Sequence, residues 1–320
     1  MTPISPVAAV RGLSKSYRNG VRALDGLNLE LGAGQVTAIL GPNGSGKSTL
    51  LRILAGRLSP TAGEVLLLGL DTARAPRALR SRVGYSPQEG ALDPEMTGLG
   101  TLRYFAALHG LSRSAEKAGI GRLAEDLGLS PHLWRRVSSY SGGERKRLQA
   151  SLALLLEPDL FLLDEPTGGI DPEGRQILWR LLQKRSSEGR SVLIVTQDME
   201  EAEASADHVV LLDRGRLLVE GSPRDLIVKH GRERIELTLA GASTDDPRLR
   251  ESLKPLGTIE ALELRGRDVT IQGRGLARLS DHVFSHLEAA GLGVMGFRFR
   301  EPDLASVYLR LVGRAGASAQ

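Results

Sequence analysis

Hydrophobic and polar positions follow two rhythms along most of the chain. Short strand-like runs occur at Val36–Leu40 ("VTAIL"), 64–68, 82–85, 160–163 and Ser191–Thr196 ("SVLIVT"), several of them apolar throughout. Short runs without a polar face are the mark of parallel strands covered on both sides. Helix-period patterns lie between them, for example at 99–111 and Pro172–Ser187. Strands alternating with helices predict an α/β layered fold with a mostly parallel sheet. The interval from about 89 to 158 carries no strand pattern and reads as a helical insertion. A "DRGR" turn at 213–216 joins "HVVLLD" to "RLLVEG" as a hairpin.

The pattern changes at "KHGRER", which divides the chain into residues 1–231 and 232–320. Beyond it, "RIELTL" reads as a strand, "PRLRESLKPLG" as a helix and "IEALELRGRDVTIQG" as a strand pair. "LARLSDHVFSHLEAAG" then reads as a helix, "VMGFRFRE" as a strand and "DLASVYLRLVG" as a last helix. The order βαββαβ plus a helix predicts a small α+β domain of the ferredoxin-like type.

Composition narrows the setting. Of 320 residues, 41% are hydrophobic and 25% charged, as in ordinary globular proteins. No apolar run approaches the roughly 18 residues of a membrane span; "LALLL" and "LFLL" are separated by Glu157, Pro158 and Asp159. The first residues lack a basic stretch followed by an apolar core, so no signal peptide is expected. The absence of cysteine excludes disulfide and thiol chemistry and suits the cytosol. The net charge of +4 fits a solvated arginine-rich surface, an anionic membrane leaflet or nucleic acid, and does not choose among them.

Three motifs carry chemistry. "GPNGSGKST" comprises Gly41, Pro42, Asn43, Gly44, Ser45, Gly46, Lys47, Ser48 and Thr49, and follows the strand "VTAIL" into the helix "LLRILAG". It is a phosphate loop in the context such a loop requires. Its glycines let backbone N–H groups wrap a phosphate at a helix N-terminus. Lys47 is placed to neutralise the β- and γ-phosphates of ATP, and Ser48 to ligate Mg2+. "LFLLDEP" is an apolar strand ending in Asp164 and Glu165. Neighbours on a strand face opposite ways, but a turn at the strand's end can bring both to the phosphates. Asp164 then fits as a Mg2+ partner and Glu165 as the base for an attacking water. "YSGGE" places Ser141, Gly142 and Gly143 at a helix start, a second anion-binding end that one phosphate loop leaves spare.

Together these motifs resemble the nucleotide-binding subunit of an ATP-binding cassette (ABC) transporter: Walker A, Walker B with its catalytic glutamate, and the signature sequence, in order. The resemblance covers roughly residues 7–230 and implies a P-loop ABC ATPase cassette with a helical subdomain. It implies that two such subunits pair head to tail, each ATP lying between one subunit's Walker A and the other's signature. A homodimer is favoured over a heterodimer. By the same resemblance Tyr17 stacks on adenine, Gln88 of "VGYSPQ" senses Mg2+ and the γ-phosphate, and Asp171 of "GGID" belongs to the loop that crosses to the other subunit. A groove of the helical subdomain receives a coupling helix from an integral membrane permease, which places the chain on the cytoplasmic face of the cell membrane.

Gln197 stands where the family usually has a switch histidine. An amide can donate to a γ-phosphate oxygen and accept from water, but it cannot become cationic. Glycines replace Ser-Ala before Ile170, and Glu144 replaces the signature glutamine, putting a carboxylate near a site that must accept ATP. "EPDLASVYLRLVGR" resembles the ending of ABC-2 type exporter ATPases, so the expected function is an ATP hydrolase that powers export. The alternatives are a soluble ABC ATPase acting on nucleic acid or ribosomes, disfavoured by the single phosphate loop, and a low-turnover regulatory nucleotide-binding module, disfavoured by Glu165.

Overall fold

The computed structural model describes residues 6–74, 78–79, 81–88, 90, 92–240, 251 and 259–317. Its contacts divide the chain into two compact units, Met1–Pro223 and Arg224–Gln320. The first opens with β1 (Ala8–Ser16), β2 (Arg22–Leu31), β3 (Val36–Leu40), α1 (Lys47–Leu54), β4 (Ala62–Leu67), β5 (Leu70–Asp71) and β6 (Val83–Ser86). Then come α2 (Gly98–Leu108), α3 (Arg113–Asp126), α4 (Gly142–Leu154), β7 (Leu160–Asp164), α5 (Pro172–Ser187) and β8 (Ser191–Thr196). α6 (Met199–Ser205), β9 (His208–Asp213) and β10 (Arg216–Gly221) complete the unit.

A six-stranded sheet in the order β10-β9-β3-β8-β7-β6 forms its centre, parallel except for the β9–β10 hairpin. Alternation along the strands explains why they are apolar throughout. Leu160 and Leu162 enter one apolar cluster with Ile39, Leu50 and Leu54; Phe161 and Leu163 enter the other with Leu148 and Leu178. Each fully buried leucine or phenylalanine contributes about 1.5–3 kcal/mol, so apolar residues dominate both faces. The second cluster also holds Leu102 of α2 and Ile120 and Leu123 of α3, which fasten the helical insertion to the sheet.

Several boundaries differ from expectation. The strand expected at 64–68 stops at Leu67, because Leu68 turns at φ 50°. The helix expected over 99–111 stops at Leu108, before Gly110 at φ 71°. A four-stranded antiparallel sheet, β2-β1-β4-β5, comes from a region whose β1 and β2 the sequence pattern did not reveal. Register shifts after Val10 and Leu13 break the two-residue period there.

The second unit carries α7 (Pro223–His230), whose first residue belongs to the first unit, β11 (Glu233–Ala240), β12 (Ile259–Arg265), β13 (Asp268–Gly273), α8 (Ser280–Ala289), β14 (Gly293–Arg300) and α9 (Leu304–Ala317). Its sheet is antiparallel in the order β12-β13-β11-β14, the order a βαββαβ chain requires. Ile235, Leu237 and Leu239 of β11 pack with Val269, Ile271, Val283 and Leu287. Of the helix expected in "PRLRESLKPLG", only Glu251 falls among the described residues.

Candidate active site

The loop between β3 and α1 needs glycine for space as well as conformation. Gly41 has φ 153° and Gly46 φ 101°. A Cβ on Gly46 would lie 2.4 Å from the Ala23 carbonyl oxygen, and one on Gly41 2.2 Å from that of Leu212. The loop is thus drawn against β2 and the β9–β10 hairpin, where Gly215 N donates to Ser45 O at 3.0 Å. Asn43 and Gly44 form its exposed tip, Pro42 is half-buried, and the buried Ser45 Oγ has no partner.

Lys47 is buried, and its Nζ donates to the carbonyl oxygens of Gly41 (2.8 Å) and Pro42 (2.9 Å). Burial holds its ammonium below the usual lysine value, against the opposing pull of Glu165 and Asp164. A desolvated cation held by loop carbonyls is suited to an incoming anion.

Asp164 ends β7 and is 1% exposed. Its Oδ1 accepts from Ser48 Oγ at 3.1 Å, while its buried Oδ2 has no partner. Burial pushes this carboxyl above the ordinary range, and the Ser48 hydrogen bond pulls it partly back. Glu165 turns at φ 49°, a left-handed conformation rare outside glycine. This turn is what brings two adjacent carboxylates to one crevice. The register of β7 against β8 sets Asp164 beside Val195, and Glu165 N donates to Val195 O at 2.8 Å. Gln197, leaving β8, therefore reaches Glu165: its Nε2 donates to Oε1 at 3.1 Å. Burial raises the Glu165 carboxyl, and the Gln197 hydrogen bond opposes the rise.

Tyr17 follows β1, and its hydroxyl lies 3.1 Å from Thr49 Oγ1 at the start of α1. Gln88 follows β6, the neighbour of β7, with its side chain exposed. Lys146 Nζ donates to the Gln88 carbonyl and Gln149 Nε2 to the Pro87 carbonyl. These two α4 residues, absent from the sequence expectations, hold the Gln88 loop; helical spacing alone gives no sign of it.

A second group gathers at the start of α4. Ser141 caps the helix: its Oγ accepts from Glu144 N at 3.2 Å, and Glu144 Oε2 accepts from Ser141 N at 2.8 Å. The Glu144 carboxylate, expected near a site that must accept ATP, bonds this cap, with its other oxygen 3.3 Å from His132 Nδ1. Gly143 faces the loop holding Gly169 and Ile170, and Gly142 is exposed. Asp171 caps α5, accepting from Gly174 N at 3.3 Å. Among the described residues no cluster of three or more acidic or histidine side chains could hold a metal by itself.

A glycine cradle that feeds a helix, with carboxylates at the end of the sheet beside it, defines a P-loop nucleoside-triphosphatase, and the capped glycine start of α4 narrows the class to ATP-binding cassettes. Residues 24–168 match the sequence model of the ABC transporter family, and the chain belongs to that family. It is 36% identical, over 95% of both chains, to the daunorubicin resistance ATP-binding protein DrrA3 of Streptomyces coeruleorubidus. It is also 36% identical to the Nod factor export ATP-binding protein I of Cupriavidus metallidurans, over 97% of this chain and 99% of that one. Among solved structures it resembles the ATP-binding cassette MJ0796 in a dimeric post-hydrolysis state bound to ADP and Pi. That match has a TM-score of 0.63 at 26% identity, covering 67% of this chain and 98% of that one.

Proposed function

We propose that the chain is the ATP-hydrolysing subunit of an ABC-2 type exporter, energising export of a substrate through a partner membrane permease. Its full-length likeness to ATP-binding proteins of drug resistance and Nod factor export supports this reading. The observation that carries the hydrolytic part is Glu165, held by Gln197 next to Asp164 and Lys47.

In this reading the N–H groups of residues 43–48, with Lys47, hold the β- and γ-phosphates. A hydroxyl and a carboxylate with one oxygen unpartnered, Ser48 and Asp164, are the hard oxygen donors that Mg2+ takes. Mg2+ held there would neutralise charge on the phosphates. Glu165 accepts a proton from the attacking water. Gln197 aims that carboxylate and, by donating to it, favours its ionised form. Tyr17 would stack on adenine, and Gln88 would offer Mg2+ a further oxygen donor. Ser141, Gly142, Gly143 and Asp171 complete the nucleotide site of a second subunit, in a homodimer, since the helix start at α4 is not needed by the chain's own phosphate loop.

The groove lined by Arg57, Tyr85, Phe105 and the exposed Leu108 receives the permease. No helix among the described residues is long and apolar enough to cross a membrane, and we place the chain on the cytoplasmic face through its permease. Residues 1–231 form the ATPase part, with the helical subdomain at 89–158, and residues 232–320 an accessory part. Nucleic acid is not favoured as a partner.

Glu165→Gln tests the hydrolytic reading. ATP binding is retained, turnover is lost because an amide is a poor base, and an ATP-bound dimer accumulates. Full turnover in this variant removes Glu165 from its role. Lys47→Ala weakens ATP binding by calorimetry; unchanged affinity contradicts the phosphate-loop assignment. Co-purification with a membrane permease tests the export partner.

A further inference from the structure

Helices α5 and α6 are each capped by an aspartate, Asp171 and Asp198. Arg175, one turn into α5, joins the two helix starts. Its Nε donates to the Ile170 carbonyl at 2.8 Å, and its Nη1 reaches Glu201 Oε1 at 3.0 Å and Asp198 Oδ2 at 3.4 Å. One turn further along α5, the buried Trp179 donates Nε1 to the other Glu201 oxygen at 3.0 Å. Asp198 Oδ1 in turn accepts from Glu201 N at 2.9 Å. A single guanidinium therefore ties the loop before α5 to the segment that directly follows Gln197. Gln197 is the residue whose amide holds Glu165.

We infer that Arg175 is a positioning residue for hydrolysis: by holding Asp198 and Glu201 against the Ile170 carbonyl, it fixes where Gln197 presents its amide to Glu165. The inference rests on the reading of Gln197 as the group that orients Glu165. Three acceptors in different directions call for the planar fork of arginine; the point charge of lysine does not span them. The Arg175 side chain is 37% exposed, so its ion pairs are screened and contribute little to stability. Its removal is thus expected to affect turnover far more than folding.

The test is a double-mutant cycle on the steady-state ATPase rate of the full chain at saturating ATP and Mg2+. Arg175→Ala is expected to lower kcat about 10-fold, leave the Kd for ATP within about 2-fold, and change kcat less than about 2-fold in a Gln197→Ala background. Arg175→Lys, which keeps the charge without the fork, is expected to recover less than about half of the lost turnover. Unchanged kcat in Arg175→Ala overturns the inference. So do losses that multiply in the double variant, which leave the reading of Gln197 standing. Normal turnover in Gln197→Ala alone overturns both. If Arg175→Ala does not fold, Trp179→Phe goes through the same cycle. It keeps the ring and deletes the N–H to Glu201, with a loss of roughly 3-fold expected only when Gln197 is present; equal effects in both backgrounds overturn the inference.

Discussion

The nucleotide-free protein carries a stability penalty at Asp164, and Asp164→Asn is expected to remove part of it. The carboxylate is 1% exposed, one oxygen takes the Ser48 hydroxyl at 3.1 Å, and the other has no partner. Leaving a buried acceptor unpaired costs about 1–3 kcal/mol, more when it is charged. Asparagine keeps the shape and the acceptor for Ser48 and deletes the charge, but adds an NH2 group that costs on the order of 1 kcal/mol if it too lacks a partner. The net gain is about 1 kcal/mol, which for a unit of this size is roughly 2–4 °C in the unfolding midpoint. The sign of the pH dependence follows from burial, which raises the folded carboxyl pKa. The folded state then binds the proton more tightly than the unfolded chain. That stabilisation is complete below the unfolded value of about 3.9 and is lost as pH rises through the folded value. The penalty in wild type therefore grows as pH rises, and the gap between variant and wild type closes on acidification. Thermal unfolding of the nucleotide-free chain between about pH 5 and 8 reads this directly. With ATP and Mg2+ added the gap narrows or reverses, because wild type gains the larger binding contribution. A nucleotide-free variant that melts below wild type at neutral pH, or a gap that widens on acidification, refutes the reasoning.

Gln197→Ala is expected to lower ATP turnover about 10-fold, the loss of roughly 1.4 kcal/mol from the transition state, while Gln197→His retains turnover and adds a pH dependence near the histidine value of about 6.5; steady-state rates against pH check both. Gly46→Ala places a Cβ 2.4 Å from the Ala23 carbonyl oxygen at φ 101°, so ATP affinity by calorimetry is expected to fall at least about 10-fold, as a loss of only about 1.4 kcal/mol in binding requires. Glu144→Ala opens the Ser141–Glu144 capping box and is expected to cost about 1 kcal/mol, read as a midpoint lower by roughly 2–4 °C.

Much of the site is written in local sequence. Gly41, Gly46 and Lys47 are legible because the strand before them, the crowded loop and the helix after them are contiguous, from Val36 to Leu54. The mostly apolar strands are legible because burial on both faces favours apolar residues whatever their neighbours are. The Ser141 cap is legible because an N-cap and its N3 residue are adjacent on the helix. What lies beyond is non-local. Gln197 meets Glu165 only because β8 lies beside β7 in register, with Glu165 turned at φ 49°. Glu144 reads as a carboxylate near a site that must accept ATP, and only the fold shows that it bonds Ser141 N and lies beside His132. Arg175 is one more arginine on a helix until α6 packs near α5. By itself the sequence determined which groups this protein brings to a phosphate, since glycine geometry, capping and strand burial act over a few residues. Only the tertiary structure decided which of those groups touch, because strand adjacency and helix packing come from burying surfaces that lie far apart along the chain.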